Sequence, residues 1–354
     1  MKTFITVLLL AVLLSACQNS GKKTKESSGE KVTLTAAGAT FPQPYYNLVF
    51  KNYAESTGIQ VTYGSIGSGG GIRSLTDRVV DFGATDGFLE DKNLAEMAAP
   101  VVHIPTCMGG VAIAYNLTGV DELKLSGALL EKIFLGEITK WDDPQIAANN
   151  QGVQFPSKDI ITVHRSDGSG TTHIFSDYMT KVSPKWAAQV GAGKSLNWPV
   201  GMGGKGNPGV VGTISQTEGA IGYVGSEYAF AQKLKMAKIE NSSGAYILPT
   251  IASVSAAAKG EIPEDTRIML TNSIDPESYP ISGFTWIILY KEQSYNGRSQ
   301  DQALETVKLL DWMVSPEAQA LAPNVNYSPL SEDAVNKAKA ILRSVTYDGK
   351  PILN

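Results

Sequence analysis

The stretch Arg165-Ser166-Asp167-Gly168-Ser169-Gly170-Thr171-Thr172 gathers a guanidinium, a carboxylate, two glycines and several hydroxyls between an apolar run and an amphipathic one. Arg165 can lay a bidentate fork on an oxyanion. Asp167, two residues on, can hold that guanidinium in one rotamer. Ser169, Gly170 and Thr171 can supply hydroxyl and backbone donors where the next helix starts, a position that favours negative charge. An Asp-Gly turn leading into a capped helix would use the same residue types, so the stretch alone leaves both readings open. Nucleophilic chemistry at Ser169 fits poorly: Gly168-Ser169-Gly170 is not the Gly-x-Ser-x-Gly elbow, and spacing assigns it no base. No catalytic residue is therefore expected.

Similar chemistry recurs at Gly38-Ala39-Thr40-Phe41-Pro42 and at Gly67-Ser68-Gly69-Gly70-Gly71. The second is too close to its flanking elements to be a linker, and its glycines suit close approach of backbone to a ligand. Asp86 ends the run Asp81-Phe82-Gly83-Ala84-Thr85-Asp86. A carboxylate beside an anion site repels the ligand unless the ligand has a hydrogen to donate. Inorganic phosphate near neutral pH has one and sulfate does not. An unmet acceptor of this kind costs about 1–3 kcal/mol before charge repulsion is added. Sites built around a ligand hydroxyl reject analogues that lack it. Asp86 as a simple turn cap is the alternative. Ala188-Gln189-Val190-Gly191-Ala192-Gly193-Lys194-Ser195 ends like a phosphate loop. Its first glycine position holds Ala188, however, and a helical stretch precedes it where a strand is needed, so a surface loop is expected.

These loops need strands and helices to aim them. Val32–Thr35, Ile59–Tyr63 and Asp81–Ala84 read as strands, with helices over Tyr45–Tyr53 and Ile72–Leu75 between them. This βαβαβ order calls for a parallel sheet with covering helices. Further strands are expected over Val111–Tyr115, Ile160–Val163, Ala220–Val224, Leu234–Ile239 and Phe284–Tyr290. Helices are expected over Ser126–Phe134, Thr171–Met179, Asp301–Met313 and Asp333–Leu342. Ser183-Pro184 and Ser315-Pro316 have the form of a helix cap followed by proline in the first turn. The Thr40, Ser68 and Gly168–Thr171 loops all fall at carboxyl ends of strands, where open α/β sheets bind ligands.

The 354 residues are enough for two domains with full cores. A formal net charge of −4 argues against a general nucleic-acid binder. Lys2, the apolar run Phe4–Leu14 and Leu14-Ser15-Ala16-Cys17 have the form of a lipoprotein signal peptide over residues 1–17, with Cys17 as the lipidated residue after cleavage. The polar residues 18–31 read as a flexible tether with a reach on the order of 20 Å. The expected location is extracytoplasmic, with a lipid anchor in a membrane. Cys107, the one other cysteine, lies in an apolar stretch and reads as a buried, inert thiol. The three histidines are scattered and give no metal constellation, so neither metal nor cofactor is expected.

Taken together, Ala37-Gly38-Ala39-Thr40-Phe41-Pro42, Gly67-Ser68-Gly69-Gly70, Asp81–Asp86 and Arg165–Thr171 resemble the phosphate-binding proteins of Pst-type ABC transporters. Gly136–Pro144, Trp198–Asn207 and Gly219–Val224 add to the resemblance, which runs from about Val32 to the C-terminal region. It implies an α/β, two-lobed periplasmic-binding-protein fold of type II, each lobe a mainly parallel sheet flanked by helices, with two interlobe crossovers. Lobe I would comprise residues 32–105 and 282–354, and lobe II residues 106–281. Inorganic phosphate would sit dehydrated in the cleft. Thr40 would donate its hydroxyl and N–H, Phe41 its N–H, and Ser68 its hydroxyl. Asp86 would accept from the phosphate OH. Arg165 would fork onto phosphate oxygens, positioned by Asp167, while Ser169, Gly170 and Thr171 donate from the helix start. The implied partners are the membrane subunits of an ABC permease with its cytoplasmic ATPase, and the receptor itself is a monomer. His164 stands where some relatives carry a second Arg, and strand alternation puts it outside the cleft. Gly87-Phe88 replaces a common Ala-Pro at the cleft rim. Receptors for sulfate or molybdate, a phosphate-sensing lipoprotein without a permease, and a phosphate-ester hydrolase are the other readings.

Overall fold

The computed structural model describes residues 32–353. The signal peptide, Cys17 and the tether lie outside the described residues. The first unit is β1 (Thr33–Gly38), α1 (Gln43–Thr57), β2 (Gln60–Ser65), α2 (Ser68–Thr76) and β3 (Phe82–Thr85). β1 pairs in parallel with both β2 and β3, as a βαβαβ unit requires. Its core comes from the inner face of α1, where Tyr45, Tyr46, Val49, Phe50 and Tyr53 are buried. The chain continues through α3 (Asp91–Ala95), β4 (Val101–Tyr115), β5 (Lys124–Leu125), α4 (Gly127–Phe134) and α5 (Pro144–Asn149). Then come β6 (Ile161–Arg165), α6 (Gly170–Val182), α7 (Pro184–Gln189), β7 (Met202–Gly204), α8 (Gly206–Gln216), β8 (Ala220–Gly225) and α9 (Ser226–Ala231). The last part holds β9 (Lys235–Met236), β10 (Lys238–Glu240), β11 (Tyr246–Ile247), α10 (Ile251–Ala256), β12 (Ser282–Tyr290), α11 (Gln300–Met313), α12 (Pro316–Gln319) and α13 (Glu332–Arg343).

The main sheet has the order β2-β1-β3-β12-β4-β8-β6-β7, with β9 paired to β4. β12 is buried along its whole length, as its unbroken apolar sequence requires of a strand covered on both faces. β4 is far longer than the Val111–Tyr115 strand expected. It pairs antiparallel with β12 from Val101 to Gly110 and with β8 from Val111 onward. The change of partner comes at Gly110, opposite Ser282, where the Val111 N–H also donates to the Ile281 carbonyl at 2.7 Å. Pro105 hid the first part of the strand, because proline cannot donate to a ladder. The strand accommodates it with a bulge: Trp286 faces Pro105 and Thr285 faces Cys107, which leaves Thr106 unpaired. The Thr106 hydroxyl then donates to the Thr285 carbonyl at 3.2 Å.

Other expectations shift locally. The Leu234–Ile239 strand divides into β9, which joins β4, and β10, which joins β5 in a separate small sheet. The glycine-rich loop is shorter than expected, because α2 already begins at Ser68 and takes Gly69–Gly71 as its first turn. Ser183 and Ser315 cap their helices by accepting the N–H of Trp186 and Ala318, with Pro184 and Pro316 in the first turns. Cys107 is fully buried, and burial raises its thiol pKa. Among the described residues no helix is long and apolar enough to cross a membrane, and no metal-type cluster of acidic, His and Cys side chains occurs.

Candidate functional site

The carboxyl ends of β1, β2 and β3 meet those of β6 and β7 through the turns that follow them. Thr40 and Phe41 lie in the turn after β1, Ser68 begins α2, and Asp86 follows β3 directly. Arg165 ends β6, Ser169 caps α6, and Gly170 and Thr171 are its first residues. All eight are buried. Close packing needs small residues: a Cβ on Gly170 would lie 2.6 Å from both the Asp86 Cβ and the Ser68 Oγ. Gly67 has φ +85°, and a side chain there would also meet the Asp167 carboxylate at 2.4 Å.

The hydrogen bonds decide which way each hydroxyl points. Ser68 Oγ accepts the Gly170 N–H at 3.0 Å and the Asp86 N–H at 3.3 Å. Thr40 Oγ1 accepts both the N–H and the side-chain amide of Asn207, at 3.1 and 3.0 Å. Thr171 Oγ1 accepts from Arg165 Nη1 at 3.3 Å and from Asn207 Nδ2 at 3.2 Å. Ser169 Oγ caps α6 by accepting the Thr172 N–H at 3.0 Å. A hydroxyl whose oxygen already takes N–H donors has its own hydrogen left to give. Thr40, Ser68, Ser169 and Thr171 are thus set as O–H donors. The Ser169 N–H is committed to the Lys194 carbonyl at 2.8 Å and the Gly170 N–H to Ser68, so these two residues differ from the expected pattern of free backbone donors. Ser169 offers its hydroxyl, and Gly170 acts through Ser68.

Asp86 is the acceptor of the group. One oxygen takes the Thr285 hydroxyl at 2.8 Å, which fixes the carboxyl in place. Burial pushes its pKa up to about 7; the Thr285 bond and the charges of Arg165 and Lys194 pull the other way. Arg165 is held as expected. Its Nε donates to Asp167 Oδ1 at 2.7 Å and its Nη2 to Oδ2, with the guanidinium 1% exposed. Burial works against the Asp167 charge, but the Arg165 fork and the Gly206 N–H at 2.9 Å outweigh it and hold that carboxyl below its ordinary pKa. The Arg165 N–H donates to the Tyr223 hydroxyl, whose ring stacks on Phe175 at 4.5 Å. His164 lies outside the group, stacked on Trp198 at 4.7 Å.

Sequence reasoning missed Asn207, Thr285 and Lys194 as members of the group. Asn207 is fully buried at the start of α8, its side-chain Oδ1 accepting the Gly225 N–H at 3.0 Å, and its amide nitrogen ties Thr40 to Thr171. Its place straight after Gly203-Gly204-Lys205-Gly206, another glycine-rich turn opening a helix, is the signal that could have found it. Thr285 sits inside an apolar strand and gave no signal. The segment around Lys194 follows helix α7, so it is not a strand-fed phosphate loop. It is the surface loop expected, exposed or half-buried throughout, but it is tied to the group: Lys194 Nζ donates to the Phe88 carbonyl at 3.1 Å.

Strand ends and helix starts deliver hydroxyls, a guanidinium and one carboxyl to a single buried cluster, an arrangement of the kind found in solute-binding proteins. The PBP superfamily domain model matches residues 23–317. The phosphate-binding protein PstS of Pasteurella multocida is 38% identical over 338 residues, covering 94% of each chain. That of Haemophilus influenzae is 38% identical over 315 residues, 87% of this chain and 92% of its own. That of Methanocaldococcus jannaschii is 32% identical over 357 residues, 93% and 91%. The chain belongs to the PstS family of phosphate-binding proteins. Among solved structures, a high-affinity periplasmic phosphate-binding protein bound with phosphate superimposes with a TM-score of 0.69 at 20% identity, covering 87% of this chain and 93% of its own. A phosphate-binding protein from Stenotrophomonas maltophilia does so with a TM-score of 0.66 at 16% identity and the same coverage. Both likenesses concern the fold.

Proposed function

We propose that this protein captures inorganic phosphate outside the cytoplasm and delivers it to the membrane subunits of an ABC permease driven by a cytoplasmic ATPase. The observation that carries this is the polarity of the site: the Thr40, Ser169 and Thr171 hydroxyls, whose oxygens already accept N–H donors, and a locked guanidinium surround one carboxyl, which the Ser68 hydroxyl also approaches. A tetrahedral oxyanion that still has a hydrogen satisfies both sets at once. Thr40, Ser68, Ser169 and Thr171 donate to its oxygens, Phe41 adds its N–H, and Arg165 forks onto it. Asp86 accepts its hydrogen. No bond is made or broken, no cofactor enters, and the protein acts as a receptor.

Residues 32–105 with 282–354, and residues 106–281, serve as two lobes that close on the ligand. Asn207 and Ser68 reach across between them, so the closed form gains bonds that an open one lacks. A monomer suffices for this role. Cys17 holds the receptor to the membrane through lipid, with residues 18–31 as its tether. The names of the relatives support phosphate as the ligand. A calorimetric titration of the purified receptor with phosphate, arsenate and sulfate tests the reading. Phosphate binds, arsenate competes and sulfate does not. Preference for sulfate, or no heat with phosphate, refutes it.

A further inference from the structure

The site has an unusual charge balance. Arg165 is spent on Asp167 in a two-point ion pair, so the two cancel. Asp86 adds a negative charge when ionised. A doubly charged oxyanion enclosed here meets no net positive charge from these three side chains. Burying such a charge without compensation is costly. Lys194 is the remaining cation. It is half-buried and makes no ion pair among the described residues. Its backbone carbonyl takes the Ser169 N–H at 2.8 Å, and its ammonium reaches Phe88, two residues beyond Asp86, at 3.1 Å. One residue thus touches the turn that carries Ser169 and the turn that carries Asp86.

We propose that Lys194 is an affinity-determining residue of the site: its backbone carbonyl is bonded to the Ser169 turn, its ammonium to the Phe88 carbonyl beside Asp86, and that ammonium supplies positive charge to a dianionic tetrahedral oxyanion when both turns close on it. This rests on the phosphate reading above. Burial pushes the Lys194 pKa down to about 8, with Glu90 and Asp86 opposing and Lys92 adding to the fall. The same ammonium lowers the pKa of His173 on α6 and of His103 on β4. Those two imidazoles, Asp86, Glu90 and Lys92 are the ionisable groups that face it. Asp86, raised to about 7, is already largely ionised by pH 8, and burial pushes both histidines down, to about 4 and about 3. Lys92 is exposed and paired with Glu90. Between about pH 8 and pH 9.5, Lys194 is therefore the site group that changes charge.

Calorimetric titration with inorganic phosphate at both ends of that range tests the proposal on the wild type, Lys194→Met and Lys194→Arg. The wild type loses affinity by about tenfold as pH rises across the range. Lys194→Met binds about tenfold more weakly at the lower pH and shows no further loss at the higher. Lys194→Arg, whose charge persists, keeps its affinity at both. Equal affinity of Lys194→Met and wild type overturns the proposal. So does a parallel fall with pH in both proteins, which is what a purely structural role would give. A wild type that binds no phosphate at either pH instead overturns the phosphate reading on which the proposal rests.

Discussion

Replacing Asp86 with Asn separates the carboxyl's charge from its shape. Asn keeps an oxygen for the Thr285 hydroxyl and another polar atom facing the ligand. What changes is that an N–H can now be offered where only an acceptor stood. Phosphate loses little, because the amide can present either its oxygen or its nitrogen. Sulfate gains, because the repelling acceptor is gone. The lost mismatch is about 1–3 kcal/mol for the hydrogen bond, or roughly five- to 150-fold in selectivity, with charge repulsion added. The same substitution changes stability without ligand. The folded pKa of Asp86 is about 7, above the ordinary value of 3.8, so the folded protein holds a proton that the unfolded chain releases. The stabilisation is complete below about pH 4 and is lost as pH rises through 7. The rise from 3.8 to about 7 corresponds to at most about 4 kcal/mol, the cost of ionising the buried group. Asp86→Asn removes that cost, so the ligand-free variant gains stability over wild type as pH rises from about 5 to 8. Calorimetry with phosphate and sulfate, and thermal melts at several pH values, measure the two effects. Unchanged selectivity, together with a melting difference that does not vary with pH, would refute both the orientation of Asp86 and its buried charge.

Arg165→Ala should weaken phosphate binding by roughly 10²–10⁴-fold, since it removes a charge-assisted fork worth about 1.5–3 kcal/mol per bond. A far-ultraviolet circular dichroism spectrum like that of wild type should show the fold intact, because Tyr223 still takes the backbone N–H of residue 165. Asn207→Ala should speed phosphate release by about ten- to a hundredfold in stopped-flow experiments, because it unties Thr40 from Thr171 and leaves the Gly225 N–H unmet. An unaltered release rate would remove Asn207 from the closing contact. Arg298→Met should cost about 1–3 kcal/mol of stability, by taking the cation from buried Asp81, which keeps only the Thr35 and Gln302 donors, while phosphate affinity stays unchanged. Denaturant unfolding and calorimetry read the two quantities independently.

The fold was legible wherever local pattern and pairing agree. Ser183-Pro184 and Ser315-Pro316 marked their helices because the cap is a local hydrogen bond and proline suits the first turn. The first βαβαβ unit was legible because its strands are short and separated by periodic helices. β4 was not, because Pro105 stops a local reading while a bulge against β12, where Thr106 bonds Thr285, 179 residues away in the chain, rescues the strand. The site shows the same division. Arg165 and Asp167 hold each other over a two-residue span that the sequence displays. Asn207, Thr285 and Lys194 matter through partners 167, 199 and 106 residues away, and no local pattern records them.

The stretch from Val111 to Ile281, which carries β8, β6 and β7 of the main sheet, departs from the β4–β12 ladder beside Gly110 and returns to it beside Ser282, and those two residues face each other across a single ladder step. Both tethers of the inserted portion therefore share one doorway. If the lobe closure proposed above takes place, the inserted portion would swing as a page swings on its spine, and twisting about two distant pivots would be denied to it. Any sensor that reports the receptor shutting should thus be mounted at the free margin, far from that binding edge, where the sweep is widest.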